Sequence, residues 1–244
     1  MYFKLILKSY KINSKIRKFK NLALADYLAS KIANIFIPFF LIFKIHPNKI
    51  TTINIFFSFL TIILVNISNG EFFLYAIIFF IFCKIIDHVD GGVARIIKGK
   101  TFYGKFCDAM NDAFFFSLFY LALSFYCFDL TGNYTLFLIG VVAPIFFLIS
   151  ILILDKFSAL VRWSNLQNKN NFPSYIRKKK YLRFFLTLED INFFSVLMLF
   201  LYKNDPESIQ LIFSIICFSI FLSSIISLVI HFFYASRYLN FKKK

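Results

Sequence analysis

Residues 72–128 consist of two apolar runs, FFLYAIIFFIFCKII and AFFFSLFYLALSFYCF, on either side of the polar segment DHVDGGVARIIKGKTFYGKFCDAMND. A helix that crosses a bilayer needs about 20 mostly apolar residues, and charged side chains are costly near its centre. We therefore expect two membrane-spanning helices joined by a short turn. The polar segment, which contains four aspartates and one arginine, then lies at the membrane edge.

The composition of the whole chain also favours a membrane protein. Of its 244 residues, 59% are apolar and only 16% are charged, whereas soluble domains average about 45–50% apolar and about 25% charged. The formal charge is +16, from 28 Lys and Arg against 12 Asp and Glu. Such a charge can indicate nucleic-acid binding, but here the basic residues lie between long apolar runs, as in cytoplasmic loops. We therefore expect a membrane protein with no nucleic-acid partner.

The pattern of long apolar stretches along the chain predicts an all-α integral membrane fold with six transmembrane helices. The six apolar stretches are Thr51–Ile67, Phe72–Ile86, Ala113–Phe128, Leu136–Leu154, Phe184–Tyr202 and Ile209–Tyr234. Glu189 and Asp190 interrupt the fifth stretch, and Thr187 with Asp190 has capping-box spacing, which predicts a later start for that helix. We divide the chain into residues 1–45, the basic N-terminus with one further helix, and residues 46–244, the six-span domain.

Residues 22–44 predict that further helix, which is amphipathic and lies in the membrane interface. Asp26, Ser30 and Asn34 step by four residues and form a polar stripe. The uninterrupted apolar end of the segment covers only residues 35–43, which is too short to cross a bilayer. An interfacial position suits a helix with one polar and one apolar face.

Basic residues cluster on the loops that would share one side of the membrane. Residues 1–50, 95–105, 155–185 and 236–244 together hold 26 of the 28 Lys and Arg. With six spans these regions fall on the same side, and loops rich in Lys and Arg stay in the cytoplasm. Both termini and the polar turn are therefore predicted to be cytoplasmic, in a bacterial inner or cell membrane.

Four carboxylates are expected to converge at that turn. Asp87 and Asp90 lie three residues apart at the end of one helix, and Asp108 and Asp112 lie four apart at the start of the next. Both spacings place the paired side chains on one face of a helix, and His88 is expected to point away from that face. Close carboxylates repel each other or take up protons unless cations neutralise them. All-oxygen coordination is typical of Mg²⁺ and Mn²⁺, and four carboxylates suffice for two such ions.

The other residues of the turn favour a phosphate-containing ligand. Gly91, Gly92, Ala94 and Gly104 would let a ligand approach the backbone, which offsets the cost of about 1 kcal/mol for each helical glycine. Arg95 keeps its charge, and its planar guanidinium can pair with phosphate oxygens. Cations, open backbone and arginine together indicate a pyrophosphate site.

Eight positions of the turn follow the pattern D-x2-D-G-x2-A-R-x8-G-x3-D-x3-D. They are Asp87, Asp90, Gly91, Ala94, Arg95, Gly104, Asp108 and Asp112. The pattern resembles the signature of the CDP-alcohol phosphatidyltransferase family in every fixed position and gap. HPNKIT, at residues 46–51, is similar to the Pro-Asn-x-x-Thr that opens the first span in many members. The six spans and the interfacial helix of that family would cover nearly the whole chain.

The resemblance implies a role for each matching residue. Four carboxylates would hold two Mg²⁺ or Mn²⁺ ions: Asp87, Asp90, Asp108 and Asp112. Asp112 would also be the general base that takes the proton of an acceptor hydroxyl. Six residues would line the site of the CDP-linked donor: Gly91, Ala94, Arg95, Gly104, Asn48 and Thr51.

The implied reaction is phospholipid biosynthesis by a homodimeric membrane enzyme. A phosphatidyl group would pass from a CDP-linked donor, which we expect to be CDP-diacylglycerol, to an alcohol hydroxyl with release of CMP. Two alternatives are transfer from CDP-choline or CDP-ethanolamine to diacylglycerol, and a divalent-ion transporter. Transporter sites usually lie near the middle of the membrane between repeats, whereas these carboxylates lie at span ends and no repeat is visible.

The basic run RKKKYLR, at residues 177–183, bears on the acceptor. Such a run commonly sets the topology and attracts anionic lipids. Alternatively, Arg162, Arg177 or Arg183 contacts a phosphate on the acceptor, as in glycerol phosphate or inositol phosphate. The sequence leaves the acceptor alcohol open.

Overall fold

A computed structural model of the chain describes residues 22–67, 72–97, 99, 101–168 and 179–239. This part of the chain contains helices and no strand. The helices are α1 (Leu24–Ile42), α2 (Pro47–Asn66), α3 (Phe73–Ile96), α4 (Phe102–Thr131), α5 (Tyr134–Asn168), α6 (Lys179–Leu201) and α7 (Pro206–Leu239). By length and composition, α1, α2, α4 and the first parts of α5 and α7 can cross a membrane. The predicted all-α integral membrane fold is confirmed.

Each of the six predicted apolar stretches lies along one helix, from α2 to α7. Two of these helices, α3 and α6, carry charged residues inside the stretch, and neither is among the five that are apolar enough to cross. α1, which we expected to lie in the interface, is one of the five. The count of six spans and the position of α1 relative to the bilayer stay predictions.

The capping-box interpretation of the fifth stretch is wrong. α6 begins at Lys179, well before Thr187, and continues through Asp190. The Asp190 carboxylate instead accepts hydrogen bonds from the backbone N–H groups of Leu24 (2.8 Å) and Ala25 (2.9 Å). The first N–H groups of a helix have no partner within the helix, so an aspartate from a distant helix caps α1.

The polar stripe of α1 faces the interior of the protein. Ser30 and Asn34 are buried, whereas Ile35 is exposed. α1 packs against α3, and Ala29 belongs to the same apolar cluster as Val89 of α3. Small side chains at a helix contact allow the backbones to approach closely. The stripe is therefore a packing surface that joins α1 to the helix that carries Asp87 and Asp90.

The remaining helices hold the polar ends of α3 and α4 against α2. α2 contacts both of them, α5 packs on α4, and α7 packs on α5 and α6. Phe80 and Phe119 stack between α3 and α4 with ring centroids 4.6 Å apart. A Cβ at Gly140 of α5 would lie 2.6 Å from Ser124 Oγ and 2.7 Å from the Phe213 ring. Only a glycine permits this close contact of α5 with α4 and α7.

Candidate active site

The polar segment forms the last turns of α3 and the first turns of α4. α3 continues through Asp87, Asp90 and Arg95 as far as Ile96. Thr101 begins the next helix, since its hydroxyl oxygen accepts a hydrogen bond from the Gly104 N–H at 2.9 Å. Both helix ends are tied to α2, by the hydrogen bonds Thr51–Asp90 and Thr101–Asn48, and this shared neighbour brings their carboxylates together.

Three of the four predicted metal ligands converge. Carboxylate oxygens of Asp87, Asp90 and Asp108 all lie within 4.8 Å of one another. Asp90 is buried, and the buried Thr51 hydroxyl donates a hydrogen bond to its Oδ2 at 2.7 Å. Carboxylates that ligate metals are usually hydrogen-bonded in this way. Three oxygen ligands at this separation fit Mg²⁺ or Mn²⁺, and a cation would offset the repulsion between the carboxylates.

Asp112 lies outside this cluster of three. It follows Asp108 by one helical turn on α4, and it is exposed. Its carboxylate lies close enough to Asp87, Asp108 and Asp90 to be repelled by their negative charges. The fourth carboxylate therefore lies near the cluster without being part of it.

A cavity of about 460 Å³ lies beside the carboxylates. All six residues predicted for the donor site line it: Asn48, Thr51, Gly91, Ala94, Arg95 and Gly104. Asp87, Asp90 and Asp108 also line it, together with the cationic Lys105. Its volume is typical of small-molecule sites, which measure about 300–1,000 Å³. The cavity thus combines acidic and basic groups in a space large enough for a nucleotide.

Gly104 has a packing role that the sequence did not indicate. A Cβ there would lie 2.6 Å from Asn48 Oδ1 and 3.1 Å from Thr101 Oγ1. The Thr101 hydroxyl donates a hydrogen bond to the same Asn48 oxygen at 3.0 Å. The glycine therefore allows the first turn of α4 to contact the first turn of α2 at the edge of the cavity.

We expect Gly104→Ala to raise the KM for the CDP-linked donor by about fivefold, because the added methyl group breaks the Thr101–Asn48 hydrogen bond. Loss of one such bond costs about 1 ± 0.5 kcal/mol, and about 1.4 kcal/mol corresponds to a factor of ten. Steady-state kinetics of the single and double variants would measure the effect. Asn48→Ala removes the clashing oxygen, so Gly104→Ala should have little further effect in that background. Additive effects would contradict this explanation.

A partly buried ion cluster lies next to the carboxylates, and its contacts were missed at the level of sequence. Lys84 Nζ lies 2.8 Å from Asp26 Oδ1 and 3.0 Å from Glu189 Oε1. These contacts join α3 to α1 and α6. One signal was available: a charged residue inside an apolar stretch almost always has a partner, and both Lys84 and Glu189 stand in such stretches.

The family comparison agrees with this site. Residues 44–225 match the family model described as CDP-alcohol phosphatidyltransferase, and this range contains every predicted site residue. Since the match covers most of the chain, the protein belongs to the CDP-alcohol phosphatidyltransferase family, as the resemblance indicated. No curated protein matches the chain. The protein is thus a membrane transferase of phospholipid biosynthesis, and it transfers a phosphatidyl group from a CDP-alcohol.

Proposed function

We propose that the protein transfers a phosphatidyl group from CDP-diacylglycerol to an alcohol hydroxyl and releases CMP. One observation carries the proposal: Asp87, Asp90 and Asp108 bring their carboxylate oxygens within 4.8 Å of one another, in the same cavity as Arg95. A cluster of oxygen ligands beside a guanidinium group suits a pyrophosphate that is bound through divalent cations.

The residues of the cavity divide into two groups by role. Asp87, Asp90 and Asp108 would hold the divalent cations, and Asp112 would bind the second of two Mg²⁺ or Mn²⁺ ions. When bound, these cations neutralise the pyrophosphate and make CMP a better leaving group. Five residues line the nucleotide part of the site around Arg95: Asn48, Thr51, Gly91, Ala94 and Gly104.

Asp112 acts as the general base. It takes the proton of the acceptor hydroxyl, whose oxygen attacks the β-phosphorus of the donor. The bond from that phosphorus to the CMP oxygen breaks, CMP leaves, and the product is a phosphodiester. Asp112 lies one helical turn from Asp108 on α4 and within electrostatic range of Asp87, which suits a base beside the metal ligands. The carboxylates supply base and ligands, so no covalent enzyme intermediate is needed.

The membrane side and the assembly belong to the same proposal. The distribution of Lys and Arg supports a cytoplasmic site and cytoplasmic termini in a bacterial inner or cell membrane.

The homodimer rests on family membership alone, and crosslinking in membranes would test it. The predicted acceptor contacts Arg162, Arg177 and Arg183 lie outside the described side chains, so the acceptor is to be found by experiment.

The full chain, purified in detergent with Mn²⁺, would test the proposal. CDP-diacylglycerol is offered with glycerol phosphate, inositol phosphate and unphosphorylated alcohols, while CDP-choline and CDP-ethanolamine are offered with diacylglycerol. We expect CMP release from CDP-diacylglycerol, a new phospholipid by mass spectrometry, and loss of both on chelation. If CMP is released only when CDP-choline or CDP-ethanolamine is offered with diacylglycerol, the donor carries the alcohol and the lipid is the acceptor. Mn²⁺ uptake into sealed vesicles without CMP release would favour a transporter.

Arg95→Ala is expected to raise the KM for the CDP-linked donor by about 10–100-fold with little change in kcat. Hydrogen bonds to charged groups contribute about 1.5–3 kcal/mol. The donor would make them in both the ground state and the transition state, so their loss raises KM and leaves kcat nearly unchanged. Steady-state kinetics with varied donor would measure the change. Lys105→Ala, which removes an exposed cation from the same cavity, is the matched control and should change KM only slightly. An unchanged donor KM in Arg95→Ala would contradict the role of Arg95.

A further inference from the structure

His88 lies between a predicted metal ligand and an acid from another helix. The histidine is buried, with its Nδ1 3.8 Å from Asp87 Oδ2 and its Nε2 3.4 Å from Asp26 Oδ1. The ring reaches towards α1 with its Nε2, and its other edge stays 3.8 Å from the Asp87 carboxylate, which is longer than a hydrogen bond. The imidazole therefore separates the acidic cluster from α1.

Asp26 is held in place from its other side. The carboxylate oxygen that faces His88 also lies 2.8 Å from Lys84 Nζ, and Lys84 in turn lies 3.0 Å from Glu189. The start of α1 is fixed by the two backbone hydrogen bonds that Asp190 accepts. These side chains are only partly exposed, and water and salt screen such pairs less than pairs on the surface, so Asp26 supports the imidazole from α1.

We propose that His88 and Asp26 are positioning residues, which hold the Asp87 carboxylate in the orientation that a divalent cation needs. The proposal rests on the proposed function, because it takes Asp87 as a metal ligand. Residues that contact a metal ligand without binding the metal keep that ligand in its orientation. Mutation of such residues commonly lowers metal affinity by about 10–100-fold. α1 lies outside the residues that match the family model. The N-terminal helix would thus act on the metal site through Asp26 without supplying a ligand.

The test measures binding of Mn²⁺ alone to the purified full-length protein, followed by the electron paramagnetic resonance of free Mn²⁺. We expect His88→Ala to raise the Mn²⁺ dissociation constant by about 10–100-fold, and Asp26→Asn to raise it by a smaller factor. His88→Asn places an amide near the position of Nδ1 and should restore part of the affinity. These two milder variants also serve if His88→Ala does not fold, which thermal unfolding would show.

Glu189→Gln is the matched control, because it weakens the same ion cluster on the side away from His88. It should lower the unfolding temperature and leave the Mn²⁺ dissociation constant within about twofold of the wild type. A loss of affinity equal to that of His88→Ala would mean that general loosening is responsible, and this would overturn the proposal. Wild-type affinity in both His88→Ala and Asp26→Asn would also overturn it. If the wild-type protein itself binds no Mn²⁺, the proposed function fails as well.

Discussion

Replacement of Asp112 by asparagine is expected to lower CMP release by about 10²–10⁴-fold, which is the usual contribution of a general base. Asparagine has nearly the same shape as aspartate but cannot take the proton of the acceptor hydroxyl. Asp112 lies outside the cluster formed by Asp87, Asp90 and Asp108, so the variant should keep those three ligands. We therefore expect it to fold and to keep a Mn²⁺ site on those three ligands, while the affinity of the second site, which Asp112 would share, falls and turnover is lost.

Three measurements on Asp112→Asn separate these effects. CMP release at saturating donor and acceptor gives kcat, Mn²⁺ titration gives the metal affinity, and thermal unfolding reports the fold. Asp129→Asn is the matched control, since it makes the same change near the opposite end of α4 and should leave all three unchanged. Full turnover in Asp112→Asn would refute its assignment as the base.

Asp90→Asn is the second change with a large expected effect, and it should act through metal binding. Asp90 is the buried member of the cluster, and loss of its charge removes one ligand from the cations. Because bound metal supplies several kcal/mol of transition-state stabilisation, and about 1.4 kcal/mol is a factor of ten in rate, we expect at least about 10³-fold lower CMP release. This variant should weaken Mn²⁺ binding at the site formed by Asp87, Asp90 and Asp108, which Asp112→Asn leaves in place.

Thr51→Val provides the matched comparison for Asp90→Asn. It keeps the carboxylate but removes the 2.7 Å hydrogen bond that the Thr51 hydroxyl donates to it. A hydrogen bond to a charged group contributes about 1.5–3 kcal/mol, so Thr51→Val should weaken Mn²⁺ binding less than Asp90→Asn does. If Asp90→Asn binds Mn²⁺ as the wild type does, Asp90 is not a ligand and the metal assignment has to be revised.

The sequence alone was sufficient for the class of fold and for most of the candidate site. Long apolar runs predict membrane helices because hydropathy is a property of each segment. The spacings within Asp87–Asp90 and Asp108–Asp112 predict shared faces because the helical repeat relates residues three and four apart. The pattern of eight residues could point to the family because all of them lie in one short stretch of sequence around a single turn.

Which distant groups meet depends on the tertiary structure. It placed Asp112 near the carboxylate cluster but outside it, turned the polar stripe of α1 inward, and brought Asp190 to the start of α1. It also placed His88 between Asp87 and Asp26, which belong to different helices. Helical spacing relates neighbours along one element, whereas these contacts depend on how α1, α3, α4 and α6 pack against one another. That packing arises from many weak side-chain contacts between segments far apart in the chain, which no local pattern of residues records.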